Sequence, residues 1–338
     1  MRAAVFMGEG VLEVQDVPDP VLRADDEVIL AVAANGVCGT DVHALDVPPK
    51  VAFNPGVVIG HEFSGTVVEA GPLSGFAIGD RVGVLPPIPC YRCTRCRAGK
   101  VNLCVDMSVF GAYERNGGAA EFVAAPRETL HRLPENLPVR LAALAEPLSV
   151  TLSASTRIAW HPGRSAVVLG AGPIGLLFMM LAKGAGASPV VVVEKSEGRR
   201  RRALELGADY AINPDEVDPV EFARDVLGDG ADVVIDAVGT LLPQAIGMAA
   251  TGATIVVYGI NETASVAVAP YQILRKELTI TGTFLAKNTF PLALKLLADN
   301  ALGFDRLIET FPLENATDAV AKLRAGDAVK ALLIPSSN

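Results

Sequence analysis

Two textures of hydrophobic and polar positions divide this chain. Up to about residue 150, short β-branched runs recur: Glu27–Ala33, Gly65–Glu69, Asp80–Leu85 and Ala120–Ala124. Turn formers such as Val17-Pro18-Asp19-Pro20 and Ile78-Gly79-Asp80 separate them. Short strands at this density predict a β-rich domain. From about Ser165 the apolar runs become continuous and alternate with helical stretches. Ser165–Leu169, Val190–Val193, Asp232–Ile235, Thr254–Tyr258 and Leu278–Gly282 read as buried strands, and Pro173–Lys183 and Glu197–Leu206 as helices. Gly207 is placed to end the second helix. Strand and helix taking turns predict an α/β fold, a parallel sheet covered on both faces. An amphipathic helix near Pro291–Asn300 opens a mixed tail that runs to Pro335. The layout is an α/β domain inserted into a discontinuous β-rich one. The apolar region Thr254–Val268 reads either as an exposed sheet edge that pairs subunits or as a segment buried within one subunit.

Two uncharged stretches, Ser165–Ala182 and Ala237–Asn261, are long enough to raise the question of a membrane span. Gly170, Gly172, Pro173 and Gly175 interrupt the first; Pro243, Gln244 and several Thr and Gly interrupt the second. Both fit buried strand-turn-helix units better than spans. At 338 residues the expectation is about two domains. Half the residues are hydrophobic, which excludes a disordered or fibrous protein. A net charge of −9 lacks the electrostatic footprint of a nucleic-acid binder. Met1 leads into RAAVF and Glu9 with no apolar signal core and no Arg/Ser-rich transit peptide, pointing to the cytoplasm.

The most specific pattern is Cys90-Tyr-Arg-Cys93-Thr-Arg-Cys96 followed after seven residues by Cys104. C-x2-C turns place two thiolates on one ion, so the four cysteines can wrap a zinc ion in a tetrahedron of sulfur. Disulfides are the alternative, and a cytosolic chain disfavours them. Four protein ligands leave no open position, so such a zinc is structural. Arg92, Arg95, Arg97 and Lys100 around the lobe offset the surplus negative charge of a tetrathiolate.

Cys38 stands apart, in Asn35-Gly-Val-Cys38-Gly-Thr40-Asp-Val-His43, and Gly60-His61-Glu62 lies downstream. A cysteine, a histidine and a carboxylate form the mixed set that leaves a position open on catalytic zinc. Taken singly, Cys38 reads equally as a small core residue and His61 as a hydrogen-bonded one. Glu146, set among Leu141–Ala145 and Leu148, is either a further carboxylate ligand or a helix cap.

Val167-Val-Leu-Gly170-Ala-Gly172-Pro173-Ile174-Gly175 closes a predicted strand and opens a predicted helix. Glycines there allow a tight turn and let a pyrophosphate approach the helix N-terminus. Glu194 ends the next strand 19 residues after Gly175, where an acid binds the ribose hydroxyls of a dinucleotide. Its charge favours NAD over NADP. Lys195 and the run Arg199 to Arg202 could instead attract a 2′-phosphate, or form a solvated helix face with Arg199 alone turned to the ribose.

Together these residues resemble the zinc-dependent medium-chain dehydrogenases, in the branch of sorbitol, butanediol and threonine dehydrogenases. The resemblance runs nearly end to end. It rests on Cys38-Gly-Thr40-Asp-Val-His43, Gly60-His61-Glu62 with Gly65 and Gly71, the Cys90/Cys93/Cys96/Cys104 lobe, Glu146-Pro-Leu-Ser and Gly170–Gly175. It implies a GroES-like catalytic domain over residues 1–147 and 285–338, with a structural zinc lobe at 86–106, and a doubly wound Rossmann domain over 148–284. It implies two zinc ions per chain, NAD as cofactor, and hydride transfer between a secondary alcohol and the nicotinamide. Cys38 and His61 would ligate catalytic zinc. Glu146 would stand at the third-ligand position and Glu62 would be a direct or alternate ligand. Thr40 would hydrogen-bond the substrate oxygen and His43 would lead the proton outward. Ile174, Glu194 and Arg199 match positions that touch the cofactor; Gly239, Tyr258, Gly259, Ile260, Thr283, Phe284 and Leu285 lie where loops cradle nicotinamide. The resemblance also implies a homodimer or homotetramer acting on a small alcohol or ketone, with no nucleic-acid or membrane partner. Polyol-specific members carry an Arg near Thr283-Phe284-Leu285; here Leu285-Ala286 and then Lys287 stand there, which points to a less hydroxylated alcohol or an amino-alcohol. A zinc-independent quinone or enoyl reductase, which does not need Cys38, His61 and Glu146 together, and a non-enzymatic zinc protein are the alternatives.

Overall fold

The strand Glu27–Gly36 is the spine of the first of two units, Met1–Ser149 with Ala286–Asn338; the second is Val150–Leu285. The structure is a computed structural model and describes residues 1–336. In the first unit the sheet runs Ile308–Pro312, Lys330–Ile334, Glu27–Gly36, Glu62–Ala70, Arg81–Val84, Leu130–Arg132, and Phe122–Pro126 also pairs with Glu27–Gly36. Only the first two of these strands are parallel. Phe63 and Phe110 meet edge to face at 5.3 Å within a core that includes Val28, Leu30, Val67 and Val82. A second cluster joins the start of the chain to its tail through Phe6, Phe53, Phe311, Leu313 and Leu333. Each such side chain contributes about 1.5–3 kcal/mol by leaving water, so apolar burial binds the discontinuous tail into this unit.

Strand register decides what lies at one end of this sheet. Glu62 pairs with Gly36 across one side of the spine, and Leu332 pairs with Gly36 across the other. Cys38 leaves the spine two residues after Gly36, His61 precedes the strand that Glu62 begins, and Lys330 begins the strand that holds Leu332. Three strand ends therefore bring residues from three distant parts of the sequence together.

In the second unit six parallel strands run in the order Tyr210–Ile212, Val190–Val193, Ala166–Leu169, Ala231–Asp236, Ala249–Val257, Thr279–Gly282. This is the strand order of a doubly wound dinucleotide-binding sheet. Val190–Val193 and Ala166–Leu169 are buried at every position, as strands covered on both faces must be. The uncharged stretch from Ser165 resolves into one of these strands, a turn, and the helix Pro173–Gly184. Among the described residues no helix is long and apolar enough to cross a membrane.

Of the two readings of Thr254–Val268, the exposed sheet edge is overturned here. Thr254–Val257 is no sheet edge: Ala249–Val257 is hydrogen-bonded to a strand on each side, and the edge is Thr279–Gly282. Ala253, Ile255 and Val256 are apolar because both faces of an interior strand are covered, and the segment after Gly259 is an exposed loop. The strands Arg2–Gly8, Val11–Asp16, Ile308–Pro312 and Lys330–Ile334 come in addition to the predicted ones.

Candidate active site

Cys38 sits where the spine strand gives way to the short helix Gly39–Ala44. Its backbone N–H donates to Asp41 Oδ2 at 2.8 Å, a turn that fixes where the thiol points. His61 enters from the neighbouring strand, with its side chain 12% exposed. One ligand atom each from Cys38, His61 and Glu62 lies within 4.8 Å of the others. Such a spread of a soft sulfur, an imidazole nitrogen and a carboxylate oxygen suits one zinc ion and leaves a fourth position free. Glu146, at the start of the helix Ala145–Ser155, is buried nearby but is not among those mutually close donors.

The electrostatics here are those of a crowded, buried cluster of ionisable groups. Burial pushes the Glu146 carboxyl up to about 7, and the Glu62 carboxylate adds to the shift. Burial also raises Asp41. For His61 burial opposes the charged form, yet the Cys38 thiolate and the Asp41 carboxylate outweigh it and hold its pKa well above the ordinary range. Such an excess of buried negative groups is costly unless cations answer it. Lys330 is such a cation: fully buried, it donates to Glu62 Oε2 and to the Val37 carbonyl at 3.0 Å. Nothing in the sequence marked Lys330 or Asp41, because a Lys in a tail strand and an Asp after Thr40 have no pattern of their own.

Of the two residues expected to handle a proton, Thr40 lies with its Oγ1 3.5 Å from Cys38 Sγ. His43 is half-buried; its Nδ1 is 3.3 Å from Asp46, which also pairs with Lys50 at 2.9 Å and Arg324 at 3.1 Å.

The four remaining cysteines form a separate cluster. Their sulfur atoms all lie within 4.8 Å of one another and none is in a disulfide. Backbone N–H groups of Cys90, Cys93, Cys96 and Asp106 point at the sulfurs at 3.3–3.5 Å. Such donors favour thiolate over thiol: those of Val105 and Cys96 draw Cys93 down to about 6, whereas burial pushes Cys96 up to about 12. Of the nearby cations, Arg92 is committed to Asp106 at 2.8 Å.

In the second unit Gly170 adopts a positive φ of 94°, and a side chain on Gly175 would overlap the Gly170 carbonyl. Gly172 caps the helix that Pro173 and Ile174 open. Glu194 is pinned by two backbone donors, Ala171 N–H at 2.8 Å and Ser196 N–H at 2.9 Å, which ties the first βα turn to the second. The basic run turns inward or pairs locally. Lys195 bonds Asp215 at 2.8 Å, Arg200 donates to the carbonyls of Glu194 and Lys195, and Arg202 pairs with Glu205. Arg199 is half-buried, its N–H donating to the Ser196 cap. Gly239, Tyr258 and Gly259 converge on one residue the sequence did not flag. Buried Asp236 accepts from Val238, Gly239 and Leu241 at 2.8–3.0 Å, while its carbonyl accepts from Tyr258 and Gly259 at 2.9 Å. Thr283 and Phe284 follow the edge strand, Leu285 takes a left-handed φ of 56°, and Ile260 and Phe284 are exposed.

Comparison with known proteins agrees with this arrangement. Residues 173–299 match the zinc-binding dehydrogenase family and residues 24–135 match the alcohol dehydrogenase GroES-like domain. The chain is 34% identical to the sorbitol dehydrogenase of Bombyx mori over 343 residues, covering 98% of this chain and 97% of that one. A zinc-binding dehydrogenase structure from Sinorhizobium meliloti 1021, bound to NADP, superposes with a TM-score of 0.92 at 34% identity over 99% of both chains. The 2R,3R-butanediol dehydrogenase of Bacillus subtilis gives 0.89 at 30% identity, again over 99% of both.

Proposed function

We propose that this chain, which belongs to the zinc-binding dehydrogenases and is an NAD(P)-dependent alcohol oxidoreductase, holds its catalytic zinc on Cys38, His61 and Glu62. The observation that carries the assignment is the convergence of those three donors within 4.8 Å at the strand ends. Zinc held there supplies Lewis acidity towards an alcohol or carbonyl oxygen, and the nicotinamide supplies the hydride acceptor. The rest is the work of side chains. Thr40, beside the thiol, would hydrogen-bond the substrate hydroxyl and relay its proton, releasing its own hydroxyl hydrogen as it accepts the other. His43, steadied by Asp46 and open to solvent, passes that proton out. Asp41 places a negative charge beside His61, and Glu146 stands buried beside the ligand set as a further carboxylate. The Cys90/Cys93/Cys96/Cys104 lobe holds a second, structural zinc.

The substrate class is a secondary alcohol, oxidised reversibly to its ketone. Relatives named for sorbitol and for butanediol support polyols and diols, and Leu285-Ala286 in place of a hydroxyl-seeking Arg favours the less hydroxylated end of that range. NAD is the preferred dinucleotide, because pinned Glu194 places a negative charge at the ribose and the neighbouring cations are already engaged. The chain works as a homo-oligomer in which the exposed edge strand Thr279–Gly282 pairs with that of a second copy. A panel of secondary alcohols, diols, polyols and amino-alcohols, followed by nicotinamide absorbance with NAD and NADP in turn, tests the reading. Turnover of a diol or simple secondary alcohol with NAD is expected; turnover of none of them would contradict it. Glu194→Gln should raise NADP efficiency relative to NAD by about tenfold or more, about 1.4 kcal/mol.

A further inference from the structure

The Glu62–Lys330 pair is more elaborately housed than charge neutralisation requires. Both side chains are almost fully buried, at 2% and 1% exposure. Lys330 is also tied to the Val37 carbonyl, immediately before Cys38. Gly36, the register partner of Glu62, makes the space: a Cβ there would overlap Glu62 Oε2 and stand 3.0 Å from Lys330 Cε. Its φ is not in the left-handed region, so glycine serves room rather than backbone conformation at this position. A buried ion pair is a poor way to gain stability, since apolar residues of similar volume do as well or better. Its placement, sharing a carboxylate with the proposed metal site, supplies a reason for keeping it.

We propose that Lys330 is a positioning residue for the metal: it occupies one oxygen of the Glu62 carboxylate, so that Glu62 can offer the metal only the other. A carboxylate with both oxygens free can chelate a metal and so fill the position the alcohol needs. The inference rests on the assignment of Cys38 and His61 as ligands of that metal.

The test is the visible spectrum of Co2+-substituted protein, with the spectrum of Cys38→Ser subtracted to remove the contribution of the four-cysteine lobe. In Lys330→Met the d–d bands should weaken by about twofold or more, as a four-coordinate site gains a fifth ligand. In Lys330→Arg, which keeps a cationic donor for the same Glu62 oxygen, the intensity should stay near the wild-type level. Unchanged bands in Lys330→Met, or equal weakening in a folded Lys330→Arg, overturn the proposal. If Lys330→Met does not fold, Gly36→Ala takes its place: it keeps both charges but forces a methyl against the pair, and the same weakening is expected, with unchanged bands again overturning the idea. An empty difference spectrum in the wild type would instead refute the Cys38–His61 assignment itself, whatever Lys330 does.

Discussion

Asp41 ties Cys38 to His61: its Oδ2 accepts the Cys38 backbone N–H at 2.8 Å while its Oδ1 faces His61 Nδ1 at 3.6 Å. One buried carboxylate thus fixes the turn that carries the sulfur and sets a negative charge beside the imidazole. Partners of this kind typically carry 10–100-fold in metal affinity or activity. Asp41→Asn keeps the shape and removes the charge. A loss of about 10–100-fold in zinc affinity is expected by competition with a chromophoric chelator, with little change in thermal stability, because a neutral amide is easier to bury than a carboxylate. Undiminished affinity would show that the Asp41–His61 approach is incidental.

Removing zinc should make stability depend on pH in a predictable direction. In the metal-free chain Glu146 is held neutral up to about 7, above its ordinary 4.5, so the folded state binds a proton that the unfolded state has released. The stabilisation is complete below the unfolded value and is lost as pH rises through about 7. The amount is on the order of 3 kcal/mol. Thermal melts of chelated protein should therefore fall from pH 5 to pH 8, and Glu146→Gln should flatten that fall. A metal-free melt that rises over the same interval would contradict the placement of Glu146.

Much of the second unit was legible because its chemistry is local. The Val190–Val193 run, the Gly170–Gly175 turn and Glu194 each announce themselves within a few residues, and register then lines them up. The first unit was legible mainly through its cysteines and the Cys38 and His61 motifs. What escaped were relationships made by folding. Lys330 reaches Glu62 across 268 positions of chain, Gly36 matters only because Glu62 is its register partner, and Asp236 is recognised by the five backbone donors that find it. The Thr254–Val257 run stayed ambiguous for a related reason: an interior strand and an apolar edge have the same composition, and neighbouring strands alone tell them apart.

The cysteine lobe should act on stability and not on chemistry. Cys93→Ser leaves three sulfurs for an ion that needs four, and removes the thiol that the Val105 and Cys96 amides favour as thiolate. One zinc per chain should be lost and the protein should become markedly more protease-sensitive, while the fraction that remains folded keeps its KM for the alcohol. A KM that rises at least tenfold would place the lobe in substrate binding instead.

The central claim is that Cys38 and His61 hold a metal distinct from the one in the lobe. The most direct measurement is zinc content by mass spectrometry of the purified wild-type chain and of Cys38→Ser, taken alongside NAD binding. The two donor clusters predict two zinc ions per chain in the wild type and one in the variant, with NAD affinity unchanged and alcohol oxidation abolished. Equal zinc content in both proteins, or full activity in a variant that has lost an ion, would contradict it.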